Sequence, residues 1–336
     1  MPKIVRFHQT GPADVLRIED LPVAEPIDNE VRIKVEAIGL NRAESMFRQG
    51  AYLETPTFPS RIGLEAAGIV DAVGPGVTNV KTGDRVATVP SFSMSTHGVY
   101  GETAIVPAHA VARYPGNLSP VEGASIWTQY LTVWGAFIHH AKLQAGQSVL
   151  VTAASSSVGL AAIEIARLLG AKPIAVSRAS AKKKALLELG AAEVIASAEE
   201  DLPAAVRRYT QGEGVNLIFD PVAGPFLGVL AECAARGAQI VEYGWLSGEP
   251  TPFPLFPAFQ KGLVVRGYTL YEFVTDPVLR PEAERFVFEN LERGKLRPIV
   301  DRTFPLAQIV DAHKYLESNQ QVGKVVVTVG VTLPRA

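Results

Sequence analysis

At 336 residues, 47% hydrophobic and 20% charged, the chain has ordinary globular composition and enough length for two cores. A formal net charge of −2 excludes a basic field that would recruit nucleic acid or anionic lipid. No apolar run reaches the roughly 18 residues that cross a bilayer, and the single cysteine, Cys233, excludes an intrachain disulfide and a multi-cysteine metal site. The opening residues MPKIVRFHQT lack the apolar segment of a signal peptide, so a cytoplasmic protein is expected.

The first third reads as strands and turns. Residues 31–38, VRIKVEAI, alternate apolar and charged side chains as a half-buried strand does. Residues 68–73, GIVDAV, run into the turn Gly74-Pro75-Gly76, and Gly83-Asp84 punctuates KTGDRVATV. Short strands with regular Gly and Pro breaks predict a β-barrel-like domain. Residues 120–141 read as a buried helical stretch ending at His139-His140, a pair expected to partner the helix dipole rather than ligate a metal.

After Gly146 strand and helix alternate. SVLVTA, KPIAVS, EVIA, NLIFD, AQIVEYG and LVVRGYTL are strand candidates, and VGLAAIEIARLLG and AKKKALLELG are helices closed by Gly170 and Gly190. Such alternation predicts an α/β, doubly wound parallel sheet, a Rossmann domain. EAERFVFENLERGKL and QIVDAHKYLES are further helices and KVVVTV a closing strand. The nucleotide domain is expected over residues 124–265, inserted in a first domain built from 1–123 and 266–336. The Pro/Phe-rich stretch 249–259, EPTPFPLFPAF, is too stiff and apolar for a linker and is expected to pack at the cleft or at a dimer surface.

SVLVTAASSSVGLAAIEIA sets a turn of small residues between a buried strand and a helix, as a dinucleotide fingerprint requires. Laid on G-x-G-x-x-G, the positions are Ala153, Ser155 or Ser156, and Gly159. The cofactor candidates here are Ser155, Ser156, Ser157, Val158 and Gly159, whose N–H groups at a helix start would face pyrophosphate. The competing reading is a serine-rich turn that caps an ordinary helix. The second strand ends at Ser177-Arg178, where an NAD site carries an acid for the ribose 2′-hydroxyl, and Lys182 and Lys183 follow. A guanidinium and ammonium groups pair with a 2′-phosphate, so NADPH is expected over NADH; the alternative is a solvated helix start.

Taken together, IGLNRAESMFRQGAY, IGLEAAGIVDAVGPGVTNVKTGDRV, YGETAIVP, IWTQYLTVWGA, the serine loop, YGWLSG and GKVVVTV resemble the medium-chain dehydrogenase/reductase superfamily. The likeness covers essentially the whole chain and is strongest to the zinc-free quinone oxidoreductase (zeta-crystallin-like) branch. It implies a GroES-like catalytic domain, a Rossmann domain with a cleft between the two, and a homodimer formed through Rossmann edge strands, here GLVVRGYTL. Zinc members carry a cysteine and a histidine where this chain has Asn41 and Leu64, and lack of those ligands implies no metal. Without a Lewis acid the acceptor must be a quinone or an α,β-unsaturated carbonyl, whose developing charge delocalises.

By family position Asn41, Tyr52, Tyr130 and Trp127 line the pocket, with Tyr52 a candidate proton or hydrogen-bond donor; packing is the alternative for each aromatic. Gly244, Trp245 and Ser247 of YGWLSG, and Lys324 of GKVVVTV, are cofactor candidates, and His97 lies in a loop that could overhang the substrate. A tyrosine of the branch that follows the strand matching EVIA is missing, since Ala196-Ser197-Ala198 stand there. A zinc-free ketone or aldehyde reductase and a non-catalytic NADPH-binding scaffold are the other two functions compatible with these residues.

Overall fold

The computed structural model describes residues 1–330. The chain forms two compact units, one from residues 1–128 together with 298 onward and the other from 129–297.

In the first unit seven strands form one bent sheet. Its path runs Val300–Pro305, Lys324–Thr328, Glu30–Gly39, Glu65–Val73, Arg85–Thr88 and Val111–Arg113, with Thr103–Pro107 also paired to Glu30–Gly39. The alternation read in 31–38 is real: Val31, Ile33 and Val35 are buried, and Lys34 between them is exposed. Two register shifts against Glu65–Val73 bend this central strand, which lets the sheet curl around Val31, Ile33, Phe47, Ile62 and Val70. Among the described residues of this unit only Val300–Pro305 and Lys324–Thr328 pair in parallel. A parallel pair needs a crossover, and the helix Ile309–Glu317 supplies it.

The second unit is a six-stranded parallel sheet. In space Glu193–Ala196, Lys172–Ser177, Ser148–Val151, Val215–Asp220, Ala234–Glu242 and Val264–Gly267 lie side by side. Numbered along the chain, that order is 3-2-1-4-5-6, the doubly wound arrangement. Its inner strands are unbroken apolar runs, Val149, Leu150 and Val151 being fully buried, because neither face meets water. The strand expectations for KPIAVS and EVIA match residue for residue.

The domain limits differ from the expected ones at both ends. Residues 266–297 join the second unit rather than the first, because Val264–Gly267 completes the parallel sheet and the helix Leu279–Glu292 buries Ala283, Val287 and Leu291. Residues 124–128 stay with the first unit, where the Ile126 and Thr128 N–H groups donate to Glu65. The expected helix over 120–141 is broken into Pro120–Gly123, Trp127–Trp134 and a π-helical turn Gly135–His140. Gly135 lies against Tyr268, whose hydroxyl would be 2.1 Å from a Cβ there. In that turn His139 stacks on Trp134 and His140 contacts Arg266.

Candidate functional site

The second unit holds a candidate phosphate cradle at the C-terminal ends of its strands, where open parallel sheets bind ligands. Ser148–Val151 leads through Thr152–Ser156 into the helix Ser157–Leu168. Ala153 sits at φ 44°, the left-handed conformation that a glycine takes more cheaply. Gly159 is required by space: a Cβ there would lie 2.6 Å from the Ala154 carbonyl oxygen and 2.7 Å from that of Ala153. The Ser156 hydroxyl caps the helix by accepting from the Gly159 N–H at 3.0 Å. Ser156 thus caps the helix, as the competing reading has it, while Ser155, Ser157 and Val158 remain partly open to solvent. The helix dipole and its first amides fit an anion.

Beside this turn lies a cationic corner. Ser177 ends the second strand and donates to the Ala179 carbonyl at 2.6 Å, so no carboxylate occupies that strand end. Lys182 reaches back to donate to the Ser155 hydroxyl at 2.9 Å. Arg178 is exposed and forms no ion pair among the described residues. The corner is thus suited to a second, more exposed phosphate.

Two further loops close the same edge of the sheet. Leu246 and Ser247 donate backbone N–H groups to Pro221 and Val222 at 2.8 and 2.9 Å, which pins the loop carrying Gly244, Trp245 and Ser247 to the turn after Val215–Asp220. Gly244 permits that approach, because a Cβ would lie 2.9 Å from Pro221. The exposed Trp245 indole donates to Glu249 O at 2.7 Å, and Ser247 Oγ accepts from the Glu249 N–H at 3.3 Å. Asp220 ties the edge together by accepting from Thr152 Oγ1 and from the Val222 and Ala223 N–H groups. Its strand partner Glu242 has a buried carboxyl, and burial together with Asp220 pushes it well above the usual carboxylate range.

The first unit holds a buried charge cluster. The Lys324 ammonium donates to Glu65 Oε2 at 2.6 Å and to Asn41 Oδ1 at 2.7 Å, and both charged side chains are fully buried. Glu65 Oε1 also accepts the Ile126 and Thr128 N–H groups, each at 3.1 Å. Asn41 Nδ2 donates to Gly39 O at 3.1 Å. Glu44, third residue of the helix Arg42–Arg48 counted after its cap, accepts from Asn41 N at 2.7 Å, Leu64 N at 2.9 Å and the Tyr100 hydroxyl. One carboxyl thus clamps the two turns that carry Asn41 and Glu65, and burial pushes it up to about 7.

These contacts bear on three expectations. Lys324, a cofactor candidate by sequence, is fully buried with its ammonium paired to Glu65, as a buried charge must be. Tyr130 is fully buried and donates to Glu164 on the helix Ser157–Leu168 at 2.7 Å, so the alternative of packing describes it. The same burial pushes Glu164 up to about 7. Asn41 is a clamped member of the cluster, with its amide oxygen and nitrogen both engaged. Trp127 is buried and its indole N–H has no acceptor among the described residues. Tyr52 is half-buried against the first core. His97 is held by Ile105 O at 3.1 Å and packs on Phe92. Sequence reasoning passed over Glu44, Glu164 and Asp220. Their only local signal is an acid at a helix start, on a helix interior face or at the end of an apolar strand.

A curled antiparallel domain and a 3-2-1-4-5-6 parallel sheet with a phosphate cradle define a two-domain dinucleotide-dependent dehydrogenase or reductase. Residues 27–116 match the alcohol dehydrogenase GroES-like domain and residues 157–287 the zinc-binding dehydrogenase domain. The quinone oxidoreductase of Homo sapiens is 31% identical over 313 residues, 93% of either chain. A solved structure of Escherichia coli quinone oxidoreductase complexed with NADPH superposes with a TM-score of 0.90 at 30% identity, over 97% of this chain and 99% of that one. An NAD-dependent alcohol dehydrogenase structure gives 0.86 at 31% identity, over 98% of this chain and 100% of that one. The chain belongs to the medium-chain dehydrogenase/reductase superfamily, in its quinone oxidoreductase branch.

Proposed function

We propose that the protein is an NADPH-dependent reductase of quinones or α,β-unsaturated carbonyls that works without a metal. The observation that carries this reading is the buried Lys324–Glu65 pair. A zinc site needs thiolate, imidazole or free carboxylate donors. Here the corresponding atoms belong to the Asn41 amide, the Leu64 alkyl chain and a carboxylate already neutralised by an ammonium. The acceptor must therefore spread its own developing charge, as a quinone or enone does.

Ser157, Val158 and Gly159 present the cradle for pyrophosphate, and Ser177, Arg178 and Lys182 the corner for a 2′-phosphate. Gly244, Trp245 and Ser247 border the same strand ends. When bound, NADPH supplies the hydride. On the protein side Tyr52 is the hydroxyl proposed to face the developing oxyanion, and Glu44, Glu65 and Lys324 act as positioning residues for the turn at Asn41. The named activity of the human and bacterial relatives supports the quinone; the likeness to an NAD-dependent alcohol dehydrogenase supports the second reading, a reductase of simple ketones or aldehydes.

Steady-state oxidation of NADPH with a quinone, an enone and a saturated ketone tests this. Turnover is expected with the first two and to be unaffected by a chelator. Turnover of the ketone alone, or loss of activity restored by stoichiometric zinc, would refute it.

The proposed working form is a cytoplasmic homodimer. Among the described residues the edge strand Val264–Gly267 has a neighbour on one side only. Next to it the helix Leu255–Lys261 exposes Phe256 and Phe259, each 73% accessible, beside Phe253 and Val264. An apolar patch at an open sheet edge is a surface for association. Replacing both Phe256 and Phe259 with Glu is expected to convert a dimer into a folded monomer in sedimentation velocity. A wild-type monomer at micromolar concentration would reject the dimer.

A further inference from the structure

The cationic corner contains an acid that the cofactor reading leaves unexplained. Residues 197–199 run beside the end of the second strand: Ser197 N donates to Ser177 O at 2.9 Å and Ala198 N to Arg178 O at 3.0 Å. This pairing fixes the next side chain, Glu199, whose Oε1 accepts from the Ser180 N–H at 2.9 Å. Those bonds, the Ser180 backbone first and its hydroxyl second, hold the carboxyl below its ordinary range, so it is charged at neutral pH. Ser180 lies two residues after Arg178 and two before Lys182. Glu199 nonetheless forms an ion pair with neither, nor with any other described residue. Its charge is therefore left to act on whatever binds there.

We propose that Glu199 is a specificity-determining residue, an internal carboxylate that opposes the 2′-phosphate and limits the preference for NADPH over NADH. The proposal rests on the assignment of Arg178 and Lys182 to the 2′-phosphate. Two cations and one anion leave a single net positive charge facing a phosphate monoester of about two negative charges. The ribose hydroxyl of NADH carries no charge and meets no such repulsion. Between exposed charges a few ångströms apart, such repulsion amounts to a several-fold effect that salt weakens.

Glu199→Gln keeps an oxygen to accept from Ser180 N–H and removes only the charge. In titrations of nicotinamide fluorescence it is expected to tighten NADPH about three- to tenfold, to change NADH less than about twofold, and to lose this advantage at high salt. Arg178→Ala is measured in parallel and is expected to weaken NADPH at least about tenfold with little effect on NADH. If Arg178→Ala discriminates and Glu199→Gln leaves the NADPH Kd unchanged or weaker, the role of Glu199 alone is overturned. If Arg178→Ala weakens both cofactors alike, the corner does not hold the 2′-phosphate, and the proposal falls together with the cofactor assignment. Unchanged melting temperatures in both variants confirm that the titrations compare folded proteins.

Discussion

Lys324→Met is expected to destabilise the protein by about 3–5 kcal/mol, because it strands the fully buried Glu65 carboxylate. Two amides, Ile126 and Thr128 N–H, still bond that carboxylate, but they do not neutralise it. Adding Glu65→Gln removes the charge while leaving an amide oxygen for the same two donors. The double variant is therefore expected to recover most of the loss, and denaturant unfolding of the four proteins in the cycle measures the coupling. Additive losses would mean that the two side chains do not act as a pair.

Gly159→Ala is expected to abolish measurable binding of NADPH and to cost about 1–3 kcal/mol of stability. The new methyl would meet the backbone oxygens of Ala153 and Ala154, and neither can move without shifting the loop that forms the cradle. Gly228→Ala is the control. It lies in the helix Phe226–Cys233 with open space around its Cβ position, so the same chemical change there should be neutral or stabilising by up to about 1 kcal/mol. Fluorescence titration and thermal unfolding of both variants separate the two effects. Normal binding by Gly159→Ala would show that the cofactor does not use this turn.

The arrangement divides the work between the units in a physically sensible way. The groups proposed for the cofactor in the second unit, Ser157, Val158 and Arg178, lie at least partly open to solvent. The first unit buries Lys324 with Glu65, and Glu44 and Glu65 bond the turns they hold rather than solvent.

The sequence by itself determined the two fold types, the small-residue turn and the absence of an acid at Ser177. Those properties are local: a buried parallel strand must be an apolar run, a half-buried one must alternate, and a close helix approach must carry a glycine. It did not determine that Lys324 and Glu65, 259 positions apart, share one cavity, that Tyr130 spends its hydroxyl on Glu164, or that residues 266–297 belong with the second unit. Each of these depends on which partner a polar group or an apolar face meets after the chain has folded. Desolvation forces a buried charge to find an opposite one, but no local pattern says which, and only the tertiary structure chose it.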